Sequence, residues 1–176
     1  MAIPGDDTAL IVPVRLPIPL ETLRQRAVPD ARLGLPAHAT LLFPFAPPET
    51  LDDDLRACVA RIVSGHDAFS FRLTEQGQWR DTLFAAVEPE LPFRSLHDDL
   101  AMAFPAFPLH RGAFGFVPHV TIAGGPSAGA PAIVHHPAWA SLPAALVASF
   151  VDLIVRDADG WRVWSRFDLH GAGRGG

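Results

Sequence analysis

Two short stretches hold the residues best suited to chemistry: "HATLLF" from residue 38 and "HVTIAG" from residue 119. Each places a threonine two positions after a histidine, His38 with Thr40 and His119 with Thr121, in an apolar run that alternates like a strand. In a strand, residues i and i+2 share a face about 6.6 Å apart, so each motif presents an imidazole and a hydroxyl in one direction. The two histidines are 81 residues apart in a chain of 176, and a proline lies just ahead of each, Pro36 and Pro118. This reads as a divergent internal duplication whose two strands face one cleft. Two imidazoles can serve as general acid and general base near neutral pH, and two hydroxyls can donate to anionic oxygens. Such a set suits a phosphodiester and needs no metal or cofactor.

The elements that must position these residues form a mixed pattern. "TALIVPVRL" (8–16) reads as a first strand and "LETLRQRA" (20–27) as a short helix. A Pro/Gly-punctuated loop over 28–36 leads into the first motif strand. Residues 47–65 read as one long helix, opened by Pro47 and Pro48 and closed by Gly65, with Leu51, Leu55, Cys58, Val59 and Ile62 on one face. On that face the lone Cys58 is a small buried hydrophobe rather than a thiol nucleophile. Segments 69–79 and 82–89 read as paired strands turning at Arg80 and Asp81, 93–104 as a second good helix, and 107–116 as an irregular loop feeding the second motif. Residues 132–142 are ambiguous between frayed helix and loop. Segments 145–157 and 160–170 read as a closing hairpin around "DADG". The order predicts an α+β fold in a single domain over 1–170, with 171–176 a disordered tail.

Composition narrows the chemistry further. The chain contains no Lys, Asn or Tyr, which rules out lysine Schiff bases, a P-loop lysine and tyrosine catalysis; any fixed cationic contact must be Arg or protonated His. A single cysteine rules out an internal disulfide framework and a cysteine-based zinc site. The net charge of −5 argues against a grip on long nucleic acid but is compatible with a short nucleotide in a locally positive cleft. The apolar "TALIVPVRLPIPL" is broken by Arg15 and three prolines and is too short to cross a bilayer, so a cytoplasmic protein with no membrane partner is expected.

At its two His-x-Thr motifs the sequence resembles the 2H phosphoesterase superfamily, in particular the bacterial 2′-5′ RNA ligase or cyclic phosphodiesterase branch. The likeness extends to "ALIVPV", to "TLFAAVEPELPFRSLHDDLAMAFP" and to the closing "DGWRVWSRFDL". The resemblance implies a two-lobed, pseudo-symmetric fold with antiparallel sheets around a central cleft and helices outside. It implies that His38, Thr40, His119 and Thr121 carry catalysis, and that the reaction opens 2′,3′-cyclic phosphates or cleaves or joins 2′-5′ linkages. Many relatives follow the second motif with a basic residue, whereas this chain has Ala123, Gly124 and Gly125.

For the rest of a binding site, Phe43, Phe114 and Phe116 are candidates to stack on a base, as are Trp79 and Phe45; core packing is the competing reading for each. Arg80 and Arg111 are candidate phosphate contacts from their loop positions. The adjacent His135 and His136 lack further ligands for a metal, "HDD" at 97–99 reads as a solvated helix face, and His66, His110 and His170 as surface or loop residues. The expected partner is a nucleotide or short oligonucleotide with a cyclic phosphate, met by a monomer. Two other readings stay open: a nucleotide-binding module without turnover, and a biosynthetic enzyme that uses the two-histidine cleft on a non-phosphate substrate.

Overall fold

The computed structural model describes residues 7–172. Eight strands, β1 (Thr8–Pro13), β2 (His38–Leu42), β3 (Phe69–Trp79), β4 (Thr82–Glu88), β5 (His119–Gly124), β6 (Ala144–Ala148), β7 (Phe150–Asp157) and β8 (Gly160–Asp168), form one sheet in the order β6-β3-β4-β5-β2-β1-β7-β8. All of its strand pairings are antiparallel. The two four-stranded halves meet where Ala39 of β2 lies across from Val120 of β5. The antiparallel halves expected of two lobes are therefore continuous through the two motif strands.

Three helices complete the frame: α1 (Ile18–Ala27), α2 (Asp53–Val63) and α3 (Leu91–Ala103). Val59 and Val63 of α2 and Phe93, Leu96 and Leu100 of α3 join Leu10, Val12, Ala39, Leu41, Val120 and Leu153 in one core. Alternation sends those strand residues to the helix-covered face and leaves their neighbours for the other. Phe93 anchors this layer: it is fully buried and meets Phe69 and Phe71 edge-on, with ring centroids 5.0 and 5.1 Å away. Truncation by Phe93→Ala is expected to cost about 3–5 kcal/mol, read as a lower urea midpoint at unchanged m.

Three differences from the sequence reading have local causes. The helix expected from Pro47 begins only at Asp53; Asp52 caps it by accepting from the Leu55 N–H at 2.8 Å, and Pro48–Thr50 form a separate 3₁₀ turn. The strand expected over 145–157 is two strands. β6 pairs with β3 and β7 with β1, so the chain passes from one half of the sheet to the other at Ser149. The ambiguous 132–142 segment is a helical turn, Pro131–Val134, followed by a 3₁₀ helix, Pro137–Ser141, which the His136 ring caps by accepting from the Ala138 N–H at 3.1 Å. The disordered tail expected over 171–176 lies outside the described residues apart from Gly171 and Ala172, which form a turn. Among the described residues no helix is long and apolar enough to cross a membrane.

Candidate active site

With Ala39 across from Val120, antiparallel pairing puts His38 across from Thr121 and Thr40 across from His119. Ala39 and Val120 point into the core, so the four motif side chains point together from the opposite face. Their Cα atoms outline a rectangle of about 6.6 by 5 Å, with the histidines on one diagonal, about 8 Å apart, and the threonines on the other. The flanking strands extend this into two rows. Pro13 pairs with His38 and Phe84 with Thr121; Ile11 pairs with Thr40 and Ala86 with His119.

Both imidazoles are held the same way. His38 Nδ1 lies 2.8 Å from the Pro36 carbonyl oxygen, and His119 Nδ1 lies 2.7 Å from that of Val117. A carbonyl only accepts, so each Nδ1 carries the hydrogen, and in the neutral ring Nε2 presents its lone pair to the cleft. The loop before His38 is itself pinned by Arg24. This buried guanidinium forks onto Glu21 with two 2.9 Å hydrogen bonds and donates to the Leu35 carbonyl at 3.0 Å.

The electrostatics separate two histidines that the geometry makes equivalent. Burial is the main reason the His38 imidazole is pushed down to a pKa of about 4; the Pro36 carbonyl partly opposes this, and the Arg24 guanidinium and His119 add like-charge repulsion. Burial also pushes His119 below the ordinary histidine range, opposed by the Val117 carbonyl and helped by His110. The unfolded chain protonates position 38 near pH 6.5 while the folded chain resists until about 4. Over that interval the unfolded state binds more protons, so His38 contributes a loss of stability as pH falls from 6.5 to 4, worth up to about 3 kcal/mol. Urea unfolding at pH 7 and pH 4.5 should show a shallower acid loss in His38→Asn than in the wild type.

The structure gathers the four motif residues and distributes the other candidates. Phe43 packs on a small cluster of Ala9, Ile11 and Ile154 on the cleft face, its ring 6.4 Å from that of His110. Phe114 is 73 % exposed on the rim, 6.1 Å from His110. Phe116 belongs to the scaffold: its ring stacks on His97 at 4.1 Å, and its carbonyl accepts from Arg94 at 2.9 Å. Phe45 is buried between Phe104 and Phe107. Arg80 is exposed at the β3–β4 turn. Arg111 and His110 adopt consecutive left-handed conformations, with φ of 54° and 48°, a strained pairing for residues with side chains. The His110 N–H donates to the Phe43 carbonyl at 2.7 Å, tying this loop to the end of the first motif strand.

Three features lay beyond the sequence reading. Trp79 and Phe84 flank His119, with centroids 4.6 and 5.3 Å from it and 4.3 Å from each other. Trp79 was a stacking candidate, but Phe84 reaches the site only through its pairing with Thr121, over Gly77, where a side chain would collide with the ring. His110, expected to be a surface residue, is close enough to bear on His119 electrostatically. His97, expected to be solvated, bonds through Nδ1 with the Leu41 carbonyl at 2.8 Å and steadies the first motif strand. Among the described residues no group of three or more His, Cys, Asp or Glu side chains is placed to hold a metal ion.

Comparison with known proteins bears on the family and the fold. The family model of the 2′-5′ RNA ligase superfamily matches residues 12–160. Among solved structures the chain is similar to TT0787 of Thermus thermophilus, with 20 % identity over 94 % of this chain and 98 % of that one and a TM-score of 0.58. It is similar to a phosphoesterase at 16 % identity over 94 % and 99 % of the two chains, TM-score 0.59. It is also similar to E. coli LigT, crystallised with 3′-AMP, at 15 % identity over 93 % and 98 %, TM-score 0.56. These likenesses establish a shared fold. No curated protein matches the chain at the significance these structures reach.

Proposed function

The chain belongs to the 2′-5′ RNA ligase superfamily, and from that premise we propose that it is a metal-independent phosphodiesterase that hydrolyses 2′,3′-cyclic phosphates at the end of a nucleotide or short oligonucleotide. The observation that carries this reading is the pair of imidazoles on adjacent strands, each locked by a backbone carbonyl so that its Nε2 faces the cleft, with a threonine hydroxyl beside each. Binding of 3′-AMP by LigT supports a nucleotide monophosphate as product.

In this mechanism His38 is the base. Desolvation and the fixed Arg24 charge keep it neutral at pH 7, so its Nε2 takes a proton from water as the oxygen attacks phosphorus. His119 is the acid. The arriving phosphate anion favours its protonated form, and its Nε2–H passes to the ribose oxygen as the P–O bond of the ring breaks. One P–O bond forms, one breaks, and the two histidines exchange protonation states, to be reset by solvent. Thr40 and Thr121 donate to the non-bridging oxygens, which gain charge in the transition state.

The profile of kcat/KM against pH tests this assignment. The base is lost only as pH falls towards about 4, and the acid form of free His119 declines below the usual histidine value of about 6.5. The profile should therefore be bell-shaped with its maximum on the acid side of 6.5, and EDTA should leave it unchanged. A flat profile from about pH 4 to 8, or strong inhibition by EDTA, would count against the two-histidine mechanism.

A further inference from the structure

The two motifs meet across the shortest seam of the sheet. β2 and β5 register at one pair, Ala39 with Val120, whereas every other pair of neighbouring strands registers at four or more positions. At the rim, the hydrogen bond from the His110 N–H to the Phe43 carbonyl ties the loop ahead of β5 to the end of β2. A step shared by two histidines needs their imidazoles at a fixed separation, so the interior of this seam needs a tie besides the ladder.

His97 is placed to supply it. It lies on α3, which covers the core face, and so stands behind the strands whose motif side chains point into the cleft. Its Nδ1 lies 2.8 Å from the Leu41 carbonyl oxygen, which only accepts, so Nδ1 carries the hydrogen. The ladder leaves Leu41 loose. Leu10 pairs with Leu42 and Ile11 with Thr40, which makes Leu41 the extra residue of a bulge, with no partner across on β1. The bond from His97 therefore fixes β2 at the residue directly after Thr40.

The same ring reaches the second motif. It stacks on Phe116, with centroids 4.1 Å apart and planes within 3° of parallel. Phe116 stands three residues before His119, and its carbonyl accepts from Arg94 Nη1 at 2.9 Å. The next carbonyl, that of Val117, is the one that holds His119 Nδ1. Arg94 is oriented in turn by Glu90, which accepts from its Nε at 2.9 Å. Glu90, Arg94 and His97 fall at i, i+4 and i+7, one stripe running from the N-cap of α3. His97 adds the first motif to what this stripe holds.

We propose that His97 is a positioning residue that couples the two motif strands and so sets the separation of His38 from His119. Its effect on rate rests on the phosphodiesterase reading; its coupling of the strands does not. It acts through Leu41 and Phe116 from behind the sheet and touches no reacting atom. Without either contact the seam between β2 and β5 is free to shift. Misplacing a catalytic group by about 1 Å costs up to about 10²-fold in rate. A side chain that keeps only one of the two contacts holds only one motif.

Two substitutions in the full chain separate the contacts. His97→Phe keeps a ring on Phe116 and loses the donor to Leu41; His97→Asn keeps a side-chain N–H for Leu41 and loses the ring. Each is expected to lower kcat on a 2′,3′-cyclic phosphate about tenfold with KM within about twofold. If one variant fails to fold, the other carries the test. Combined with His38→Asn, the loss should shrink to within about twofold, because the pair that His97 aligns is already broken. An unchanged kcat, or the same tenfold factor in both backgrounds, would overturn the positioning role. Amide hydrogen exchange of the unliganded protein reads the seam without turnover. In the variants it should quicken at least about tenfold in β2 and β5 and stay unchanged in β8. Unchanged exchange in β2 and β5, or equal acceleration in β8, would overturn the coupling. Faster exchange confined to the seam, in a protein whose wild type opens no cyclic phosphate, would overturn the phosphodiesterase reading and leave the coupling standing.

Discussion

His38→Asn and His119→Asn are each expected to lower kcat on a 2′,3′-cyclic phosphate by about 10²–10⁴-fold. Asparagine is the informative replacement. Its side-chain N–H can take over the hydrogen bond that each Nδ1 gives to the Pro36 or Val117 carbonyl, so the loop before each strand stays anchored while Nε2 is removed. The loss then reports proton transfer rather than local unfolding. The two residues act in one step, so the double variant should be only slightly slower than the worse single variant. Matched urea midpoints at pH 7 would confirm that the fold is unaffected. A loss confined to KM would mean that the imidazoles hold the ligand and do not move protons.

Removing the hydroxyls should be nearly as damaging. Thr40→Val and Thr121→Val preserve shape and strand preference but take a donor from oxygens that gain charge in the transition state. Each is expected to cost about 10²–10³-fold in kcat with little change in KM, and Thr→Ser at either site should recover most of it. The two losses should be similar, because each threonine lies across from one histidine and along the strand from the other. A large effect at only one position would break the symmetry of the proposed transition-state contacts.

The motif residues were legible because alternation within a strand is local: two positions along "HATLLF" or "HVTIAG" suffice to put imidazole and hydroxyl on one face. Their cross-strand arrangement was not. Only the pairing of Ala39 with Val120 shows that each threonine faces the other motif's histidine. The same limit explains Phe84, which enters the cleft region through strand register, and His110, which reaches the rim on a loop whose conformation no propensity signals. Ser149 hid in an apolar run with no Gly or Pro to mark a break; each flanking strand is fixed by its partner in a different half of the sheet. The late start of α2 reflects three consecutive aspartates, of which only the capping bond of Asp52 selects the boundary. Phe116 shows the reverse case. Its position in the loop before His119 suggested a stacking surface, yet Arg94 and His97 of α3 hold it as part of the scaffold.

The measurement that bears most directly on the central claim is turnover of the four nucleoside 2′,3′-cyclic monophosphates and of a 5′-phosphorylated dinucleotide ending in a 2′,3′-cyclic phosphate. It would be run in EDTA with wild type, His38→Asn and His119→Asn side by side, resolving 2′- from 3′-phosphate products. The expected result is hydrolysis by the wild type to a single monoester regioisomer and its near-complete loss in both variants. Folded wild-type protein that opens none of these substrates, or variants that turn over at the wild-type rate, would contradict the two-histidine phosphodiesterase.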